Sequence, residues 1–183
     1  MWTRAAAFLA LASLAFAGSD VATADVLAGV QAALVGEWNG DGEPDLAVLH
    51  RPAPDADAAT LWVFLSGAEP AVLEGAAWTG RMWGALPRLE ATPDGFEVIS
   101  ENAAVGRDRW QEALAVAYRE GALVVVRYRY AFYDAVGGAR FECAVDFERR
   151  TGVRGGERFA VAWGPVALER WTADRIPPPC KAR

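Results

Sequence analysis

"ALVVVRYRYAFYD", Ala122 to Asp134, is the stretch that decides the fold. Val, Tyr and Phe crowd it, glycine and proline are absent, and bulky apolar residues recur at every second position, the period of a β-strand. The alternation predicts one face made of Val124, Val126, Tyr128, Tyr130 and Phe132, and an opposite face carrying Arg127, Arg129 and Tyr133. Upstream, "WQEALAVAYRE" from Trp110 has the same character, and "REGA" between the two reads as a tight hairpin turn. Downstream, "RFECAVDFERR" from Arg140 continues the meander, and "RTGVRGGER" makes a polar turn before "FAVAW". Further out, "GFEVISE" from Gly95, "TLWVFLS" from Thr60 and "LAVLHR" from Leu46 are strand-like, the last two parted by the turn-forming "PAPDADAA". "VLAGVQAALV", residues 26–35, has a pattern that fits either a strand or a helix and is assigned to a strand. The chain is therefore expected to be mainly β: an antiparallel meander, sandwich or barrel-like, with little helix and no internal repeat.

The N-terminus has a different grammar. Arg4 precedes an apolar run from Ala5 to Ala17, about 13 residues against the roughly 20 that cross a bilayer. Small residues at Ala17 and Ala24 then suit a signal peptidase. The expectation is a signal peptide over residues 1–24 and a single β domain over 25–183, periplasmic or secreted, ending in the proline-rich tail "RIPPPCKAR". A mature chain of roughly 160 residues suffices for one domain with a real core. No later segment is apolar for long enough to span a membrane. The formal net charge of −6 repels phosphate backbones, so nucleic acid is not an expected partner. Export would place Cys143 and Cys180 in an oxidising compartment, where a disulfide between them is the default. Closing that loop contributes about 4 kcal/mol on the chain-entropy model.

One segment interrupts the β pattern with dense charge. "GEWNGDGEPDL", Gly36 to Leu46, sets Glu37, Asn39, Asp41, Glu43 and Asp45 at alternate positions. Carboxylates at this density repel one another unless a cation sits among them. Counting from Glu37, side-chain oxygens fall at the first, third, fifth and ninth positions, with the Glu43 carbonyl at the seventh and Gly42 at the sixth to permit a sharp bend. Hard oxygen donors in this spacing suit Ca2+. Val48 stands at the twelfth position, where an EF-hand places a bidentate glutamate, and a strand follows instead of a helix. A turn alone would account for "NGDG", but a turn has no need of carboxylates at both Glu37 and Asp45.

The same residues resemble the calcium loops of FG-GAP and VCBS repeats, which connect two strands of a propeller blade in the pattern D-x-[DN]-x-D-G-x-x-D-L. That resemblance implies Glu37, Asn39, Asp41 and Asp45 as side-chain ligands and Glu43 as a carbonyl ligand. The likeness departs from the pattern at Glu37, where Asp is usual and the longer side chain must fold back. The loop occurs once, so a full propeller is not expected. The single loop, the β meander and export together are also loosely similar to the calcium-loop-bearing periplasmic lysozyme inhibitors. That similarity implies binding to another envelope or secreted protein, with a cell-wall hydrolase as candidate.

Other constellations speak less for chemistry. His50, the only histidine, ends a strand with no serine or cysteine near it in sequence. Glu97 with Glu101, or Asp108 with Glu112, have the residue types of a carboxylate-based glycan-active enzyme and equally those of a wet sheet face. "VGRDRW", Val105 to Trp110, fits either an acidic partner or a turn with internal ion pairs. Trp62, Trp78, Trp83, Trp163 and Trp171 are expected in the core or packed on a sheet face. The expected function is an exported calcium-binding β domain that binds a protein and is not an enzyme; an immunity-like protein and a glycan-active enzyme are the alternatives.

Overall fold

The computed structural model describes residues 28–80, 82 and 85–181. Residues 1–24, expected to be a signal peptide, and Trp83 lie outside them. Strands β1 (Val30–Gly36), β2 (Asp45–His50), β3 (Ala58–Phe64) and β4 (Ala71–Trp78) form an antiparallel sheet in chain order. A larger sheet follows, again in chain order: β5 (Arg88–Thr92), β6 (Gly95–Asn102), β7 (Asp108–Arg119), β8 (Ala122–Asp134), β9 (Arg140–Asp146), β10 (Thr151–Arg154) and β11 (Glu157–Ala160). A short β12 (Val166–Ala167) pairs with the start of β8. Single turns of 3-10 helix at Leu168–Arg170, Ala173–Arg175 and Pro178–Cys180 complete the described chain. Helix is thus marginal, as the sequence predicts, and no described helix is long and apolar enough to cross a membrane.

The two sheets face one another across a common core. Ala47, Leu49, Leu61 and Val63 point inward from the small sheet, and Phe96, Val98, Leu114, Val116, Val125 and Val145 from the large one, in one contiguous cluster. The arrangement is a sandwich of open sheets. Trp78 of β4 meets Trp110 of β7 with ring centroids 5.3 Å apart, stitching the sheets together at one end.

The longest strand departs from strict alternation. Ala115 pairs with Arg127 but Val116 pairs with Val125, so Val126 is an extra residue, a β-bulge whose carbonyl accepts from the Phe147 N–H at 2.9 Å. The inserted residue shifts the phase by one. Leu123 and Val125 therefore join Tyr128 in the main core, while Val126 packs with Val124, Ala115 and Ala117 in a small cluster of its own. The predicted face of Val124, Val126, Tyr128, Tyr130 and Phe132 is split at the bulge.

Strand assignments elsewhere shift in two places. "RTGVRGGER" is a hairpin, β10 to β11, whose turn uses Gly155 and Gly156 at φ 53° and 91°. Of "FAVAW", only Phe159 and Ala160 are in a strand. Cys143 and Cys180 are joined by a disulfide with Cα atoms 5.3 Å apart, and the tail does more than hang from it. Trp171 packs against Tyr128 and, edge-on, against Phe147, with ring centroids 6.2 and 5.6 Å away, inside the main core.

Candidate functional site

The acidic loop joins β1 to β2 at the end of the small sheet, where Gly36 pairs with Asp45. Its base is fixed by two contacts. Trp38 packs against Phe96 of the large sheet, centroids 4.7 Å apart, and its backbone N–H donates to Asp45 Oδ2 at 2.7 Å. The other oxygen of Asp45 accepts from the Ser66 N–H at 2.9 Å, leaving the residue 1% exposed. A buried carboxylate held by backbone donors is stable without a cation nearby.

Above that base the chain curls through Gly40 and Gly42, both in the left-handed region at φ 81° and 84°. Asp41 sits between them and gathers three donors: the Glu43 N–H at 2.8 Å, the Asn39 amide at 2.8 Å and the Ser66 hydroxyl. These contacts, the Ser66 hydroxyl foremost, hold the Asp41 carboxyl below the usual carboxylate range. Glu37 does fold back, its Oε1 accepting from the Gly40 N–H at 2.6 Å. Asn39 Oδ1 accepts from the Asp41 N–H at 3.1 Å.

The donor set is all hard oxygen and so fits a calcium ion chemically. Glu37, Asp41 and Glu43 are exposed, and Asn39 is half-buried beside them. The arrangement is not yet a cage: among the described residues no three carboxylate, imidazole or thiolate groups converge. Asp45 faces inward, and Asn39 turns its amide nitrogen toward Asp41. The sequence reading missed Ser66, whose hydroxyl and N–H tie both Asp41 and Asp45.

The remaining candidates have structural partners. Glu97 pairs with Arg129 at 2.6 Å, and Glu101 with Arg88 at 2.8 Å, on the outward face of the large sheet. Arg107 of "VGRDRW" is bonded to the buried Asp134, Nε to Oδ1 at 2.7 Å, whereas Nη1 of Arg109 is buried with no hydrogen-bond partner among the described residues. Glu112 points inward, and burial pushes its carboxyl up. His50 pairs with Thr60 across the β2–β3 ladder, where a Cβ on Gly29 would strike its ring. Compared with known proteins, the chain matches no family model, no curated protein and no solved structure.

Proposed function

We propose that the chain is an exported β-sandwich module that binds one calcium ion in the Glu37–Asp45 loop and acts by binding another protein, with a cell-wall hydrolase as candidate. The observation that carries this reading is the loop's construction: exposed Glu37 and Asp41 and half-buried Asn39 curl over two left-handed glycines on a base fixed by Trp38 and Asp45. The carbonyl of Glu43 and the second lone pairs of Asp45 complete the proposed set. Binding would require the Asn39 amide to turn over so that its oxygen faces the ion, and the inward-facing Asp45 carboxylate to open toward it.

Extracellular calcium modules bind at about 0.1 to 1 mM, so about 2 mM calcium contributes roughly 0.6 to 1.8 kcal/mol. That orders a loop and leaves the sandwich folded without metal. Calorimetric titration of chelator-treated protein should show one site in this range; no heat up to several mM calcium would remove the metal from the proposal. A pull-down from envelope extract, with and without calcium, tests the second half. Retention of no protein under either condition, with turnover of a glycan instead, would favour the enzyme reading.

A further inference from the structure

The outward faces of the two sheets differ in kind. On the large sheet, outward positions carry Glu97, Glu101, Gln111 and Arg129, which pair among themselves and with Arg88 at 2.6 to 2.9 Å. That is how an antiparallel sheet normally meets water. On the small sheet two successive cross-strand rows are wholly apolar: Val35, Leu46 and Phe64 in one, Val48, Trp62 and Val72 in the next. Val35 is 66% exposed, Phe64 40% and Trp62 38%, and the two rings lie nearly parallel at 6.4 Å.

Over these two rows, before His50 and Thr60 follow in the next, β2 and β3 are apolar on this face although their other face already fills the core, with Ala47, Leu49, Leu61 and Val63 at 0% exposure. Strands that are apolar on both sides are normally covered on both sides, and a contiguous exposed patch of this type marks an interaction surface. The charges around it set the occupant. With Glu37 and Asp41 assigned to the ion, Glu43, of which only the carbonyl is in that set, stands exposed at the end where β2 begins, Glu69 in the turn after β3 stands at the same end, and Glu74 is exposed on β4 beyond Val72. A second copy would bring a like-charged rim against this one, on a chain of net charge −6.

We infer that the outward face of β1–β4 is the docking surface for a positively charged protein that packs an apolar or aromatic surface against Trp62, Phe64 and Val35. The inference rests on the proposal that the chain acts by binding a protein. It adds where and to what chemistry.

The test measures binding of the immobilised full chain to lysozyme, a small basic protein, and to succinylated lysozyme, in which the lysines are made acidic. Binding to the native form only is expected, weakened at least tenfold by Trp62→Ser, Phe64→Ser or Glu74→Lys, with the calcium titration unchanged in all three. The Glu74→Lys variant changes only an exposed charge and guards against misfolding of the aromatic variants. Equal binding by parent and variants would overturn the docking face while leaving the protein-binding proposal standing. Failure of native lysozyme to bind, or equal binding of the succinylated form, would overturn the basic partner. The envelope pull-down then reports separately on whether the chain binds any protein. A dimer in sedimentation that Trp62→Ser dissociates would assign the face to a second copy and overturn the inference.

Discussion

Ser66 shows what a single residue does that spacing cannot reveal. It lies 21 positions beyond Asp45, yet pairing of Leu46 with Phe64 brings its N–H and hydroxyl onto Asp45 and Asp41. The alternation of Glu37, Asn39, Asp41, Glu43 and Asp45 was legible because the proposed ligands come from one short segment; the serine was not, because tertiary pairing delivers it. Ser66→Ala leaves every proposed ligand in place but removes a group that aims Asp41, so calcium affinity should fall by about tenfold. Asp41→Ala should weaken binding further, and a variant that binds like the parent would exclude the loop as the site. Glu112 is a different case, a carboxyl raised by burial with the Tyr128 hydroxyl bonded to it. Its folded form prefers the proton, so its contribution to stability is full below the unfolded value near 4.3 and is lost as pH rises through the folded one. Glu112→Gln should therefore melt higher than the parent at pH 7, with the difference closing by pH 4; an equal melting difference at both pH values would show that ionisation is not its cause.

At the scale of elements, the β7–β8 hairpin was the most readable part of the chain. "REGA" places Glu120 and Gly121 at φ 50° and 87° between the paired Arg119 and Ala122, the doubly left-handed turn that matches strand twist. Gly121→Ala should cost about 1 to 2 kcal/mol in urea unfolding, and Glu120→Asn should recover part of it in the double variant. A neutral Gly121→Ala would mean that the turn relaxes to another type. The bulge at Val126 was illegible because Val124, Val125 and Val126 are chemically equivalent, and a run of three cannot say which valine is extra. β4 and β5 were not singled out either. "AVLEGAAW" is interrupted by Glu74 and by Gly75 at φ 63°, near a register irregularity against β3, so its period is broken in sequence as in space. Of the β10–β11 hairpin only the polar turn was legible, because its residues other than Gly152 and Phe159 are exposed and carry no apolar alternation.

For the whole molecule, the decisive element is the tail, which the sequence marked by prolines, one cysteine and the expected packing of Trp171. Leu168, Trp171 and Cys180 are buried in the main core, with Ile176 packed against it, so the last turns of chain close the sandwich beneath β8 and β9. Two constraints hold them, the Cys143–Cys180 bond and the packing of Trp171 against Tyr128 and Phe147. Because both restrain the same segment, their effects should not add. Removing the bond by Cys143→Ala with Cys180→Ala should cost about 4 kcal/mol on the chain-entropy model, and Trp171→Ala with the bond intact about 3 to 5 kcal/mol through its cavity. Without the bond, the tail can leave the core at the cost of its own packing, and Trp171→Ala then penalises a state that is already partly detached. A double-mutant cycle from urea unfolding should show the combined loss falling short of the sum by at least about 1 kcal/mol. Additivity within about 0.5 kcal/mol would mean that the tail stays docked without its disulfide, and that the aromatic contact alone secures the closure of the fold.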